Sequence, residues 1–379
     1  MSPVPHMGTI RTAASRLAWG GYLIWPCVKI TTRLKLEIPA KGIPVFKTGI
    51  CSLRELQFLR GSPAKKPVSY RLLRPSTLST VEVVRAFEAI IRDLDLSSGV
   101  FRTTYRGRLQ DVDALIHGQL TRSFIAGECL KVHDWAASDA LVSSEWAQPL
   151  FRAFPFCRFI ASDVTLYLVE ACSEEREAYI FEPSGTILQY VRPPFVINFN
   201  RKDSPVFVAN RLMRSKAKRR ADSLWNAASK FHWSGPDDPN EFSAAGWRFR
   251  LLPLIHPEAL ALQRQMPNFT IISHSALVPL RECVHVIRTM NVYQQGYFGE
   301  ADLARGARAV FDSLFIGGLW ILGRTAGERA AARNEVSIFK RSERGFRVLH
   351  RLNGGSELEE RLKSWGLLER ESGDGVGAS

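Results

Sequence analysis

A chain of 379 residues can hold one large domain or two ordinary ones, and 45% apolar against 23% charged residues is the balance of a globular protein with a sizeable core. No apolar run approaches the roughly 18 residues that a membrane-spanning helix requires; the longest, 17–28, is broken by Gly20, Gly21 and Pro26. The formal charge of +14 suggests a polyanionic partner, but residues 1–80 carry a net +11 of it, and the remaining 299 residues are close to neutral at +3.

Residues 1–78 are rich in Arg, Lys, Pro and Gly, with short strand-like fragments at 22–30 and 34–38. Arg11, Thr12, Ser15 and Arg16 before an apolar stretch imitate a targeting peptide, yet no small-residue cleavage site follows cleanly. The segment reads as a basic, poorly structured extension. Ser79 or Thr80 then resembles a helix cap, and Val81, Val84, Phe87, Ile90, Ile91 and Leu94 recur at helical spacing. A second helix fits residues 109–124. Together they make a helical segment over 79–125.

From Cys129 the pattern becomes one of alternating strands and helices. Strands are expected at 130–134 and 158–162 with a helix over 140–154 between them. A hairpin, 179–190 and 195–199, and a basic helix over 208–230 interrupt the series as an insertion over 171–245. It resumes with a strand at 248–255, a helix at 257–265 with Pro257 in its first turn, and strands at 269–273, 283–289 and 319–323. A helix over 300–314 separates the last two. A strand pair, 335–340 and 345–352, ends a domain spanning 126–360, and 361–379 reads as a flexible tail. Such a series argues for a mostly parallel α/β sheet covered on both faces.

The six cysteines form no CxxC pair and no His/Cys cluster, so they signal no metal and fit the reduced thiols of a cytoplasmic protein. The segment of interest is Asp134-Trp135-Ala136-Ala137-Ser138-Asp139-Ala140, which leaves a strand, turns and enters a helix. In open α/β folds a nucleotide-like cofactor binds at the carboxyl ends of the strands, against a helix amino terminus. Small residues at 136, 138 and 140 permit close approach. Asp163, at the end of the next strand, can accept hydrogen bonds from both hydroxyls of a ribose.

Asp134 to Ala140 resembles motif I of the class I S-adenosylmethionine-dependent methyltransferases, an acid followed by glycines at alternate positions, and Asp163 matches their ribose-binding acid. Residues 284–293, with Arg288-Thr289-Met290-Asn291 and then Tyr297-Phe298, resemble the fourth-strand motif and are similar to chemotaxis-receptor methyltransferases. Residues 314–322, with Gly317-Gly318, resemble the turn and fifth strand of the same fold. The resemblance covers 129–352 and implies a Rossmann-like seven-stranded sheet with helices on both faces, binding S-adenosyl-L-methionine. It implies that Ala136, Ser138 and Asp139 lie against the cofactor and that Asp134 fixes its amino-acid end through the loop. Asp163 would hold the ribose, with Ser275 or His274 near the adenine in place of an acid. Asn291 and Tyr293, as catalytic candidates, would face the transferred methyl or its acceptor, and the insertion would cap the substrate.

This sequence departs from the family pattern at all three motif I glycines, replaced by Ala136, Ser138 and Ala140. The alternative is therefore a degenerate methyltransferase fold acting as a binding or regulatory module. The basic run from Arg211 to Arg220 reads as a solvated helix face without the interleaved aromatics of a single-strand binder, so nucleic acid is not favoured over a small-molecule or protein acceptor. No G-x-G-x-x-G, P-loop or G-x-S-x-G sequence is present.

Overall fold

The computed structural model describes residues 22–24, 44–58, 66–74, 80–94, 96–97, 102, 104–124, 127–174, 176–199, 208–229, 241–327 and 332–369. They divide into two compact units, one drawn from residues 1–101 and 167–254, the other from 102–166 and 255–379. The boundary after residue 101 falls inside the expected helical segment, and the expected insertion lies within the first unit. The expected fragment at 34–38 and residues 370–379 of the expected tail lie outside the described residues, whereas 361–369 of that tail are not flexible: they finish a helix and pack on the sheet, with Leu362 and Leu367 buried. Among the described residues no helix is long and apolar enough to cross a membrane.

In the first unit, β1 (Tyr22–Ile24) and β2 (Pro44–Lys47) pair, and α1 (Leu53–Phe58), a 3-10 turn (Tyr70–Leu73) and α2 (Thr80–Asp93) follow. After the second crossing of the boundary come β5 (Tyr167–Cys172), β6 (Ala178–Phe181), β7 (Ile187–Arg192) and β8 (Phe195–Asn198). A helix from Val208 to Ala228, β9 (Phe242–Ala244) and β10 (Trp247–Pro253) complete it. The six later strands form one antiparallel sheet in the order β8-β7-β6-β5-β10-β9. On one face, Ala217, Ala221, Leu224 and Ala228 of the long helix pack on Val169, Phe181 and Phe249. Its Lys216, Lys218, Arg219 and Arg220 are exposed, the solvated face its charge pattern suggests.

The opposite face of that sheet corrects part of the sequence reading. Ile50, Val68, Tyr70 and Leu73, expected within a poorly structured extension, are buried with Phe87, Ile90, Leu168, Ile180 and Leu252. Gln189 accepts from the Tyr70 amide at 2.8 Å and donates to the Val68 carbonyl at 2.9 Å. Glu170, fully buried, takes both arms of Arg74 at 2.7 and 2.5 Å and Arg71 at 3.0 Å. These partners lie about a hundred residues away, beyond the reach of any local pattern.

The second unit holds α3 (Gln110–Ser123), β3 (Lys131–Trp135), α4 (Leu141–Ala153) and β4 (Arg158–Asp163). With the helix of the first unit counted as α5, there follow α6 (Pro257–Gln265), β11 (Phe269–Ser273), β12 (Val284–Met290), α7 (Glu300–Ser313), β13 (Leu314–Ala326), β14 (Arg333–Arg341), β15 (Phe346–Leu352) and α8 (Glu359–Ser364). Its seven strands run β11-β4-β3-β12-β13-β14-β15, the first five mutually parallel, β14 antiparallel to β13 and β15 antiparallel to β14. In chain order the parallel strands stand third, second, first, fourth and fifth, the doubly wound arrangement of Rossmann-like folds.

Alternation along each strand sorts the helices. Val132 and Asp134 face α4, whose neighbours are α3 and α6. Trp135, Ile287, Trp320, Leu322 and Phe339 face the other way, onto Leu303, Ala307 and Val310 of α7 and Leu362 of α8. The sheet is thus covered on both faces. Strand β13 is longer than the expected 319–323: it follows α7 directly, and its register against β12 shifts between Val284 and Val286. Gly317 takes φ +86°, so the Gly-Gly pair bends a continuous strand.

Candidate functional site

The chain winds from β3 to β4 on one side and returns as β12 on the other, so the loops leaving β3 and β12 diverge at the carboxyl ends of the strands. Doubly wound sheets place ligands at such a switch point. Here the loop is 136–140.

Three of its five residues are left-handed: Ala136 at φ +54°, Ser138 at +58° and Ala140 at +61°. These are the positions where the motif I pattern has glycine. A β-carbon in this region costs about 1–2 kcal/mol per residue, so the path is imposed by its surroundings. Ala137 N–H donates to the Ser162 carbonyl at 2.8 Å and Ser138 N–H to Asp163 Oδ2 at 2.9 Å. Ala140 N–H closes a turn on the Ala137 carbonyl at 2.9 Å, and the Asp139 carbonyl accepts from His256 N–H at 2.8 Å. Asp139 Oδ1 accepts from Leu141 N–H, the first amide of α4, at 3.1 Å. Burial pushes the Asp139 carboxyl up to about 7. The Ser138 hydroxyl is buried and finds no partner among the described residues.

Asp134 lies beneath the loop. Arg288 grips it with two N–H groups, Nε to Oδ1 at 2.9 Å and Nη2 to Oδ2 at 2.5 Å, and Ser143 Oγ donates to Oδ2 at 2.6 Å. Arg288 Nη1 donates to Asp113 Oδ1 at 2.5 Å, and its guanidinium carbon stands 4.1 Å from the Trp146 ring centroid. Burial lowers the Arg288 pKa, but Asp134 and Asp113 outweigh it and hold the group above its ordinary value. Asp134 is therefore an anchor under the loop and presents no open carboxylate to the crevice. Arg288 opens the fourth-strand motif in the sequence but was given no role there, and Asp113 was not singled out. The signal for Arg288 was present, since a charge in the middle of an apolar strand needs a buried partner.

Asp163 lies beside the loop. Its Oδ2 holds Ser138 N–H, and its Oδ1 accepts from Thr165 N–H at 3.1 Å and from Arg102 Nη2 at 2.6 Å. The same Arg102 nitrogen also donates to the Thr165 carbonyl. Arg102 is 5% exposed, and its Nη1 has no partner among the described residues. No sequence pattern marks Arg102, which lies 61 residues before its partner.

Asn291 follows β12 directly with a left-handed backbone, φ +60°, a conformation that Asn tolerates. Its N–H donates to the Gly323 carbonyl at 2.8 Å, and its Oδ1 accepts from Thr325 N–H at 2.7 Å. Thr325 continues a polar network through Asn334 to Asp111. Ser275 forms a turn after β11, its Oγ accepting from Leu277 N–H at 3.3 Å. Beside it, His274 packs against Trp135 with ring centroids 5.1 Å apart, and burial lowers its pKa. Tyr293 is placed differently from its expected catalytic position. It is buried under α7, its hydroxyl donating to the Ala276 carbonyl at 2.5 Å and reaching the Gly306 carbonyl at 3.3 Å. A β-carbon at Gly306 would stand 2.5 Å from the Tyr293 ring, so the glycine exists to admit it. Tyr293 is a packing residue of the core.

The structure thus gathers Ala136, Ser138, Asp139 and Asp163 into one loop-and-strand-end cluster, sets Asp134 below it and leaves Tyr293 outside. As a cradle for the cofactor that the sequence resemblance implies, the cluster has the turn, the buried Ser138 hydroxyl without a partner among the described residues, and a carboxylate at the next strand end. Two features fit it less well: Arg102 on that carboxylate, and the β-carbons of Ala136, Ser138 and Ala140 where the motif has glycine.

No protein-family model matches the chain, and no curated protein matches it in sequence. Solved structures share a weak geometrical likeness. The citrinin polyketide synthase CMeT domain is 11% identical, with a TM-score of 0.30 over 66% of this chain and 43% of that one. A putative sarcosine dimethylglycine methyltransferase from Galdieria sulphuraria is 10% identical, with a TM-score of 0.25 over 57% of this chain and 47% of that one. An O-methyltransferase family protein from Burkholderia thailandensis is 8% identical, with a TM-score of 0.26 over 69% of this chain and 45% of that one. The chain spans less than half the length of each of these three.

Proposed function

We propose that the unit formed by residues 102–166 and 255–379 is an S-adenosylmethionine-dependent methyltransferase domain acting on an acceptor outside this chain. One observation carries the reading. The loop at the switch point keeps the glycine-type backbone at 136, 138 and 140 although none of the three is glycine. Strain of this kind persists where a ligand-binding path is over-determined by its surroundings.

When bound, the cofactor supplies a methyl group already activated on a sulfonium, so the protein's tasks are to position and to exclude water. The amides and small side chains of Ala136 to Asp139 would receive it, with Ser138 Oγ offering a hydrogen bond and Asp163 the ribose contact. Ser275 and His274 would border the adenine. Asn291, fixed by Thr325, would stand at the acceptor side, which would be a small molecule or a protein.

The second reading is a degenerate fold retained as a binding module, and the Arg102–Asp163 pair favours it. Hydrogen exchange of the full chain with and without millimolar S-adenosylhomocysteine separates the two. Protection at 136–144 and at the end of β4 supports a cofactor site. Unchanged exchange there, in a folded sample and also in an Arg102→Met variant, overturns it in favour of the module.

A further inference from the structure

We propose that Arg102 is a gate on the ligand carboxylate Asp163, closed in the structure as it stands, so that Arg102 weakens cofactor binding instead of supporting it. The inference rests on the cofactor reading above and goes beyond it by assigning a residue that regulates the site.

A carboxylate offers about four lone-pair directions. Three at Asp163 are taken: Ser138 N–H on Oδ2, and Thr165 N–H and Arg102 Nη2 on Oδ1. The two amides belong to the loop and to the turn after β4, and they give the carboxylate its orientation. Arg102 is the one side chain among the three donors. A ribose presenting two hydroxyls needs two acceptor directions, and one remains. Binding of a diol at Asp163 therefore requires exchange of the guanidinium for a hydroxyl, while the two amide bonds stay in place.

The closed arrangement is built to open. Arg102 Nη2 also holds the Thr165 carbonyl, but Nη1 is buried with no acceptor among the described residues. An unmet donor on a buried cation opposes the attraction of the ion pair, so the pair is held less firmly than two charges at 2.6 Å would suggest. The contrast with Arg288 is direct. There the guanidinium is shared by two acids and stacked on Trp146, so that pair has no comparable reason to part. Of the two buried Arg–Asp pairs at the strand ends, one is an anchor and the other a gate.

Removing the gate should strengthen binding. Calorimetric titration of the full chain with S-adenosylhomocysteine should show Arg102→Met binding about ten- to hundredfold more tightly than wild type, the worth of one charge-assisted hydrogen bond. Arg102→Gln, which keeps a donor without the charge, should fall between them. Circular dichroism and hydrogen exchange of β3 and β4 verify that each variant is folded. Equal affinities in wild type and both variants overturn the gate while leaving the cofactor site standing. Weaker binding in Arg102→Met overturns it too and makes Arg102 a ligand contact. No binding by any of the three, all folded, sinks the cofactor reading itself.

Discussion

The loop of left-handed residues yields a stability prediction that can be worked position by position. At Ser138 the β-carbon in the left-handed region costs about 1–2 kcal/mol. Its hydroxyl, buried without a partner, costs a further 1–3 kcal/mol, roughly. Ser138→Gly removes both and gives back about 0.4–1 kcal/mol through the greater freedom of glycine in the unfolded chain. The net gain should be about 2–3 kcal/mol. Ser138→Ala keeps the β-carbon and removes only the hydroxyl, so about 2 kcal/mol, the larger part of that gain, should remain. Ala140→Gly serves as a control: its strain relief is offset by the same entropy and by loss of a buried methyl worth about 0.8 kcal/mol, leaving a change near zero. The chain has two units, so a melt of the whole is not one two-state transition. Native-state hydrogen exchange of the β3 and α4 amides reads the opening free energy of the relevant unit. If Ser138→Ala destabilises, the hydroxyl has a bound partner and the case for an open polar group falls. If Ser138→Gly gains nothing over Ser138→Ala, the backbone there is not under left-handed strain.

Two further predictions concern the buried charges. Asp139 is raised to about 7 by burial, above its ordinary 3.8, so the fold favours the protonated form and stability is lost as pH rises between those values. Asp139→Asn keeps the Oδ1 bond to the Leu141 amide and lacks the titration. It should match wild type near pH 4 and exceed it by about 2–4 kcal/mol at pH 8 in the opening free energy read from native-state hydrogen exchange of the α4 amides; a constant difference across that range would refute the shift. His133, lowered by burial to about 3, contributes the opposite slope between about 3 and 6.5, and it cancels in the comparison because both proteins carry it. Arg288→Met strands Asp134 and Asp113 in the interior and should cost about 3–5 kcal/mol, measured on the same exchange amides. A loss below about 1 kcal/mol would mean that water reaches the two acids.

Local pattern located the elements of the second unit closely. The expected 257–265 and 269–273 coincide with α6 and β11 because Pro257 fixes the helix start and a short turn separates the two. The glycine pair in β13 misled the reading, since a bend within a strand and a turn before one share the same residues. The first unit was far less legible. Its sheet pairs β5 with β10 across some eighty residues, and its second face is closed by Ile50, Val68 and Tyr70 from a segment whose charge made it look unstructured. At the site, the spacing of Asp134, Ala136, Ser138, Ala140 and Asp163 was visible, because it arises from one strand–loop–helix–strand passage. The partners that decide what those residues do were not. Arg288 lies 154 residues from Asp134, and Arg102 reaches Asp163 from before α3. Tyr293 looked like a site residue from its place in a motif and is a core residue because Gly306 opens room for its ring.

The two acids of the motif have separate tasks, and the separation explains how the loop survives without glycine. Asp134, clamped by Arg288 and Ser143, fixes where β3 ends and α4 begins. Asp163 then fixes the path between them, through the Ser138 amide, with the Ser162 carbonyl holding Ala137 beside it. A loop with glycine can find a left-handed path by itself, whereas one with Ala, Ser and Ala must be pulled into it. The carboxylate that would receive a ribose is thus also part of the scaffold that shapes the loop. The Ser138 bond on Oδ2 cannot be given up without releasing the loop, so a diol would take the free direction on Oδ2 and the direction on Oδ1 that Arg102 occupies.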